Sequence, residues 1–550
     1  MGLNLKSGFL SQFLALLMAI LVIFGCASIQ KPMGGPRDRT PPKLLLATPL
    51  NETRNFKAAS VKLDFDEYFK LSNQYQEITM SPVLDKPLEF KTKGKSLVIN
   101  FKDTLQKNTT YVLNFGKAIA DVNEGNVLKN FTYVFSTGPH IDSLSISGTV
   151  TNTQTQQKEK DATVMLFTLK QDSVLFGKKK PTIYATTDSS GNFTLGNLHE
   201  GDYRIYALKE ASPNKIYDNE NELIAFLKKT IHVTKDTSNI QLTLFKQAPE
   251  SFRVVSKNFD PDGKMSFVFN MPLTDPGVKI NFPPNIDDQK LVDFSKTKDS
   301  AQLYLRNMDF DSISVSFTDK GKPMDTVYLK KGKKETFTRN INLTYNISND
   351  GKLKPGADLN IYANSPIENF DPSRIILLED SVSRTNFTLT KDPASQKKFI
   401  LKYRWRQLAK YQIAFNEGTF VNIYGDKNKR LVKNFMIDKP ENYGSITLKV
   451  SVPDTTGKSS YVIELLNEQK VSLRKDVVTK NTTLNYKDYL AGKYQVRVTY
   501  DTNGNGRWDS GNVRQRLYPE QIVLIPTLFT LRPNWEAEET VEVPKEVATP

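Results

Sequence analysis

From residue 43 onward, apolar and polar positions alternate in short runs separated by turn residues. Residues 61–65 (VKLDF), 96–101 (SLVINF) and 111–115 (YVLNF) follow a period of two, which places successive side chains on opposite faces of a strand. The segment 130–136 (NFTYVFS) ends at Thr137-Gly138-Pro139, a turn signal. Further strands are predicted at 146–150 (ISGTV), 164–167 (VMLF), 201–207 (GDYRIYA), 265–269 (MSFVF) and 312–317 (SISVSF). Others fall at 410–415 (KYQIAF), 446–450 (ITLKV) and 492–498 (GKYQVRV). Asp188 and Gly191, in TDSSGNFTL, suit a tight turn leading into a strand. Few windows carry a helical apolar period. Many short strands with regular turn signals predict an all-β chain of tandem β-sandwiches.

At 550 residues the chain is too long for one core, and about three to five domains are expected. The pattern divides it at 43–140, 141–248, 249–345, 346–440 and 441–535. The fourth and fifth units echo the first two, 410–415 repeating 111–115, and 446–450 and 492–498 repeating the strands at 146 and 201. The acidic, Pro-tipped segment 536–550 is expected to be disordered.

The N-terminus has a different pattern. Lys6 is the lone charge before an apolar run at 9–24 (FLSQFLALLMAILVIF), shorter than the ~20 residues a bilayer span needs. Residues 1–25 therefore read as a secretory signal. Gly25-Cys26 follows at once, and the Pro/Gly-rich stretch through residue 42 reads as a flexible tether, 26–42. The formal charge is +15, with the basic residues dispersed. No long basic helix or aromatic-basic cluster is present, so no nucleic-acid partner is expected; anionic lipid headgroups or envelope polymers suit the charge better. Cys26 is the one cysteine, so no intramolecular disulfide or cysteine zinc site can form. His140, His199 and His232 share no ligand spacing.

These segments resemble known families. Ile23-Phe24-Gly25-Cys26 resembles the lipobox of bacterial lipoproteins, which implies cleavage before Cys26 and a lipid on its thiol, an anchor strong enough for stable membrane attachment. Gly34-Gly35-Pro36-Arg37-Asp38 with Thr40-Pro41-Pro42 resembles the leader of a Bacteroidetes family of Ig-like lipoproteins. The resemblance implies a place at the bacterial outer membrane, and the absence of an acidic run after Cys26 points to its periplasmic face. Residues 43–140 resemble an S-layer-type bacterial Ig-like domain, through Pro41-Pro42, 61–65, 105–115 and 131–138. Residues 141–248 resemble a prealbumin-like, carboxypeptidase-regulatory sandwich, through the opening Gly148-Thr149-Val150, the Asp188…Gly191…Phe193 turn-strand and Gly201-Asp202-Tyr203. The implied order is Ig-like, prealbumin-like, Ig-like, Ig-like, prealbumin-like.

Two patterns carry candidate chemistry. The run Asp501-Thr502-Asn503-Gly504-Asn505-Gly506-Arg507-Trp508-Asp509 places oxygens at alternate positions around a glycine at the sixth, as in loops that wrap calcium. Asp501, Asn503, Asn505, the carbonyl of Arg507 and Asp509 would be the ligands. Asn512 stands where such a loop has a bidentate Glu, and a strand rather than a helix precedes it. A hairpin loop in which Asp and Asn bond the backbone is the alternative. No other cofactor is implied. Second, Asp-Ser/Thr triplets recur where residue usage alone would give roughly two. Their hydroxyls are Thr104, Ser143, Ser173, Ser300, Ser312, Thr326, Ser381 and Thr455. They resemble the O-glycosylation sequon of Bacteroidetes; turn-then-strand grammar is the alternative.

No nucleophile elbow, Walker loop or dinucleotide fingerprint is present, and Asp64, Asp66 and Glu67 suit a solvated strand edge. The expectation is a non-enzymatic, lipid-anchored envelope protein, a spacer and interaction platform for an envelope protein. The alternative is a glycan-binding lipoprotein, with Trp405, Trp508 and Trp535 as the candidate aromatics.

Overall fold

The computed structural model describes residues 37–210, 214–219, 221–332 and 337–546. Residues 1–36, which include the segment read as a signal, Cys26 and most of the stretch read as a tether, lie outside the described residues. The chain is nearly all β and divides into two compact units, Met1–Ser143 and Leu144–Pro550.

In the first unit the strands Leu44–Thr48, Ser60–Phe65, Ser96–Asn100 and Glu89–Lys93 pair in that spatial order, all antiparallel. A second sheet joins Thr79–Ser81, Thr110–Asn114 and Thr132–Ser136. The alternation read from the sequence gives each sheet its inner face. Val61, Leu63 and Phe65 from one sheet meet Tyr111, Leu113 and Phe135 from the other in one core. Phe135 stacks on Phe56 with ring centroids 4.0 Å apart.

The second unit holds four further sandwich cores, at 146–244, 252–329, 341–437 and 446–543. Those at 252–329 and 341–437 repeat the topology of the first unit. Their four-stranded sheets run Val254–Phe259, Met265–Phe269, Ser300–Tyr304, Leu291–Phe294 and Leu343–Tyr345, Leu359–Ala363, Lys398–Lys402, Thr388–Lys391. Their opposing sheets are centred on Ser312–Asp319 and Lys410–Phe415. A shared corner ties the first and fourth sandwiches more closely. The Tyr111 hydroxyl accepts the Gln106 N–H at 2.8 Å, and the Tyr411 hydroxyl accepts the Arg406 N–H at 2.6 Å. Midway in each turn a residue is left-handed, Asn108 at φ 50° and Leu408 at φ 60°.

The second and fifth sandwiches share a different plan. Strand Leu144–Asn152 lies between Asn192–Leu198, antiparallel, and Thr237–Lys246, parallel. Strand Tyr443–Ser451 likewise lies between Thr482–Leu490, antiparallel, and Glu536–Glu542, parallel. Parallel pairing brings the backbones so close at Gly148 that a Cβ there would lie 1.9 Å from the Ile240 carbonyl oxygen, which only glycine permits. In each Gly-x-Tyr strand the tyrosine hydroxyl donates to the carbonyl four residues before it, Tyr203 to His199 and Tyr494 to Leu490.

Residues 536–542 correct one expectation. The acidic segment is a strand, not a disordered tail. Glu536, Glu538 and Glu542 alternate with the more buried Ala537, Glu539 and Val541, and Val541 and Val543 join the core. The outward face is neutralised in part by Lys449, which pairs with Glu538, while Thr447 donates to Glu536 at 2.9 Å. High charge misleads where every second position is still available for burial.

Two deeply buried glutamates of these cores are ion-paired, as desolvation demands. Glu379 accepts hydrogen bonds from Tyr411 at 2.9 Å and Tyr403 at 3.1 Å and pairs with Arg384 and Arg406. Burial alone would push its carboxyl up; the two tyrosines and two guanidinium groups together hold it below its ordinary value. Glu464 is held down in the same way against burial, by Arg497 at 2.5 Å and Lys475 at 2.8 Å.

Candidate functional site: the 501–520 loop and the face it covers

The run VMLF in strand Thr163–Thr168 has no polar alternation, and both of its faces are buried. Val164 and Leu166 point into the second sandwich's core; Met165 and Phe167 belong to a separate apolar cluster on the outer face. Strand Gly201–Lys209 divides likewise, with Ile205 and Ala207 in the core and Tyr206 and Leu208 in the outer cluster. Short helix Leu169–Leu175 and Phe176 cover part of this face, Phe176 stacking on Tyr206 at 3.9 Å. The rest is covered by Trp508, Val513 and Tyr518 of the fifth sandwich.

The covering loop leaves strand Gly492–Asp501. The buried Asp501 carboxylate accepts the N–H groups of Asn505 at 3.0 Å and Gly506 at 2.9 Å, and the Ser460 hydroxyl at 3.0 Å. Gly506 is left-handed at φ 74°. The side-chain oxygens of Asn503 and Asn505 accept the N–H groups of Asn505 and Arg507, and both amide nitrogens donate to Asp509. Every one of these side chains thus bonds within the loop, as Asx turns do.

Glu520, not singled out by the sequence, holds the loop's base. Its buried carboxylate accepts the Thr502 N–H at 2.7 Å and the Asp509 N–H at 2.9 Å, and its carbonyl accepts the Trp508 ring N–H at 2.9 Å. Asn512 caps a tight turn, accepting the Gln515 N–H at 2.9 Å and pairing with Leu517. Among the described residues no group of three His, Cys, Asp or Glu is placed to hold a metal ion.

Beyond this turn the loop grips the second sandwich. The Val513 N–H donates to the Gln247 side chain at 2.8 Å, and the Tyr518 hydroxyl accepts the Lys228 N–H at 2.8 Å while its ring stacks on Phe226 at 5.0 Å. Arg516 donates to the Leu227 carbonyl at 3.1 Å, the Tyr206 hydroxyl at 2.8 Å and Asp172 at 3.3 Å. Tyr206 itself donates to Asp172 at 2.7 Å. Burial, reinforced by that hydrogen bond and the carboxylate charge, raises the Tyr206 hydroxyl far above its ordinary value, so it stays a neutral donor. Gly511 packs so tightly that a Cβ would lie 2.6 Å from the Leu517 carbonyl oxygen and 2.9 Å from the Phe245 ring.

The other candidates are dispersed. Thr104, Ser143, Ser173, Thr326, Ser381 and Thr455 are exposed; Ser300 and Ser312 are half-buried and open strands. Ser173 lies in the helix rather than before a strand. Two of the preceding aspartates brace loops, Asp103 accepting the N–H groups of Asp85 and Thr104 and Asp454 that of Thr456, while Asp325, inside strand Lys322–Lys330, accepts the N–H of Thr326. Trp405 packs against the fourth core and Trp508 lies in the covered face, so neither presents a platform to solvent. Trp535 is exposed, with Arg532 5.3 Å from its ring. Asp64 bonds Ser96 and pairs with Lys62, while Asp66 accepts the Lys43 N–H at 2.7 Å. No helix among the described residues is long and apolar enough to cross a membrane.

Residues 38–137 match the bacterial Ig-like domain family. That match covers the first sandwich. No curated protein matches the sequence. Among solved structures, the major pilin subunit BcpA of Bacillus cereus aligns at 11% identity over 73% of this chain and 99% of its own, with a TM-score of 0.14. The S-layer protein SbsC aligns at 11% identity over 88% of this chain and 67% of its own, TM-score 0.14. SGBP-B of the Bacteroides ovatus mixed-linkage glucan utilization locus, solved with a mixed-linkage heptasaccharide, aligns at 13% identity over 63% of this chain and 84% of its own, TM-score 0.18. Scores this low establish no shared arrangement.

Proposed function

We propose that this chain is a non-enzymatic envelope protein, anchored by a lipid on Cys26 at the bacterial outer membrane, that serves as an interaction platform. The observation that carries the platform reading is the grip of the 501–520 loop on the second sandwich. Apolar contact and the Arg516–Asp172–Tyr206 network bind sandwiches distant in sequence to each other. A flexible string of beads has no use for such a contact; a surface of fixed geometry does. The buried carboxylates Glu379 and Glu464 are spent on ion pairs within cores, which favours a structural over a catalytic use of charge. Calcium in the 501–509 loop and O-glycans on the exposed triplet hydroxyls remain part of this proposal.

The anchor is tested by labelling cells with palmitate, fractionating membranes and shaving with external protease. Label on the wild type and none on Cys26→Ser supports it; label retained by Cys26→Ser refutes it. Resistance to shaving would place the platform on the periplasmic face.

A further inference from the structure

The fifth sandwich carries a cleft of about 740 Å³ beside strands Ser472–Val478 and Thr482–Leu490. That volume falls within the range of about 300–1,000 Å³ typical of small-ligand sites. Three tyrosines line it in sequence: the Tyr489 ring lies 5.8 Å from Tyr486 and 6.2 Å from Tyr494. Tyr486 and Tyr494 are buried and Tyr489 half-buried. Beside them Leu473 and Leu490 are exposed at 44% and 54%, apolar surface left open at the cleft's wall.

One polar group of the lining is braced by side chains behind it. Asp476 accepts Arg474 through two nitrogens, both at 3.2 Å, and the Tyr486 hydroxyl at 2.9 Å. Lys493 pairs with Glu468 at 3.4 Å. Lys354 and Lys487 also line the cleft and form no ion pair among the described residues. With Asp476 behind Arg474 and Glu468 beside Lys493, four cations meet three carboxylates, Glu468, Asp476 and Asp488, and Lys354 and Lys487 are the cations left without an ion pair among the described residues.

We propose that this cleft binds an acidic oligosaccharide, one bearing uronate groups. Pyranose rings present apolar C–H faces that can pack on the open part of the Tyr489 ring and on Leu473 and Leu490, while Tyr486 and Tyr494 belong to the core beneath. Their hydroxyls need donors and acceptors, which the Arg474 guanidinium, braced by Asp476, and the amides of Asn467 and Gln469 supply. Lys354 and Lys487, left without an ion pair, match a carboxylate on the sugar. The proposal rests on the platform reading and gives it a ligand class.

The test is calorimetric titration of the full chain with oligogalacturonate, a neutral cello-oligosaccharide of equal length, and polyglutamate. Oligogalacturonate is expected to bind at least tenfold more tightly than either control. Tyr489→Ala and the surface change Lys487→Glu are each expected to weaken it at least tenfold, with unchanged thermal melting for Lys487→Glu. Equal binding of the neutral sugar, equal binding of polyglutamate, no binding of oligogalacturonate, or indifference to both substitutions overturns the proposal. If Tyr489→Ala leaves capture of another glycan or of an envelope protein intact, the cleft fails and the platform stands. Free motion of the 501–520 loop relative to the second sandwich would instead defeat the platform.

Discussion

Replacing Val513 with aspartate is predicted to free the 501–520 loop from the second sandwich. Val513 is 3% exposed, enclosed by the outer cluster that includes Phe226 and Phe245. Removing a valine from such a site forfeits about 1.5–3 kcal/mol. An aspartate carboxylate in that apolar setting costs a further ~2 kcal/mol or more. The docked state therefore loses about 4 kcal/mol, close to a thousandfold in the docking equilibrium at ~1.4 kcal/mol per factor of ten. Hydrogen exchange read by mass spectrometry on peptides spanning 508–520 is the direct assay, because the Val513 N–H is held by Gln247 across the contact. Exchange there should accelerate while the strands Tyr443–Ser451 and Gly492–Asp501 keep their protection. Val513→Ala should fall between the two. If Val513→Asp leaves loop protection at the wild-type level, the outer cluster does not hold the sandwiches together and the argument fails.

Three further outcomes follow from the geometry. Glu379 and Glu464 are held below their ordinary values in the folded state, so their stabilisation is complete above the unfolded value near ~4.3 and is lost as pH falls through the folded values; melting midpoints should drop below about that pH, and Glu379→Gln should flatten the decline. Leu408 sits at φ 60° and is 68% exposed, a conformation costing an L-residue about 1–2 kcal/mol; Leu408→Asn, matching Asn108 of the first sandwich, should stabilise by ~0.5–1 kcal/mol in urea titration, and a loss of stability would contradict this. With two carboxylates and its amides already bonded within the loop, the 501–509 segment should bind calcium no more tightly than about 10⁻⁴ M; calorimetry of wild type against Asp501→Ala checks it, and micromolar affinity lost in the variant would show a dedicated site.

Strand positions were legible wherever one face is buried and the other wet. Residues 61–65, 265–269 and 410–415 alternate in the sequence, and all lie in strands. The Gly-x-Tyr strands were legible too, because a turn glycine and a large anchor leave few other readings. The grip between the second and fifth sandwiches was not anticipated, although VMLF at 164–167 carried its signal. A run without alternation means burial on both faces, and a sandwich's own core accounts for one face only. Trp508 looks like an open sugar platform in the sequence because its partner surface lies hundreds of residues away. Glu520 escaped notice because a lone glutamate after Pro519 has no local pattern, and its role comes from the loop folding back over it. The strand at 536–542 was hidden by its acidity, since composition outweighed the alternation of Ala537, Val541 and Val543.

The parallel placement of Glu536–Glu542 beside Tyr443–Ser451 has a bearing on biogenesis. A sandwich whose first strand must wait for its last cannot close while the chain is still emerging amino end first. The latch at 508–518 precedes that last strand, so firm docking on the second sandwich follows arrival of Val541 and Val543. A purification tag grafted at Trp535, or a stop codon there, would leave a sheet edge bare and an apolar interior open.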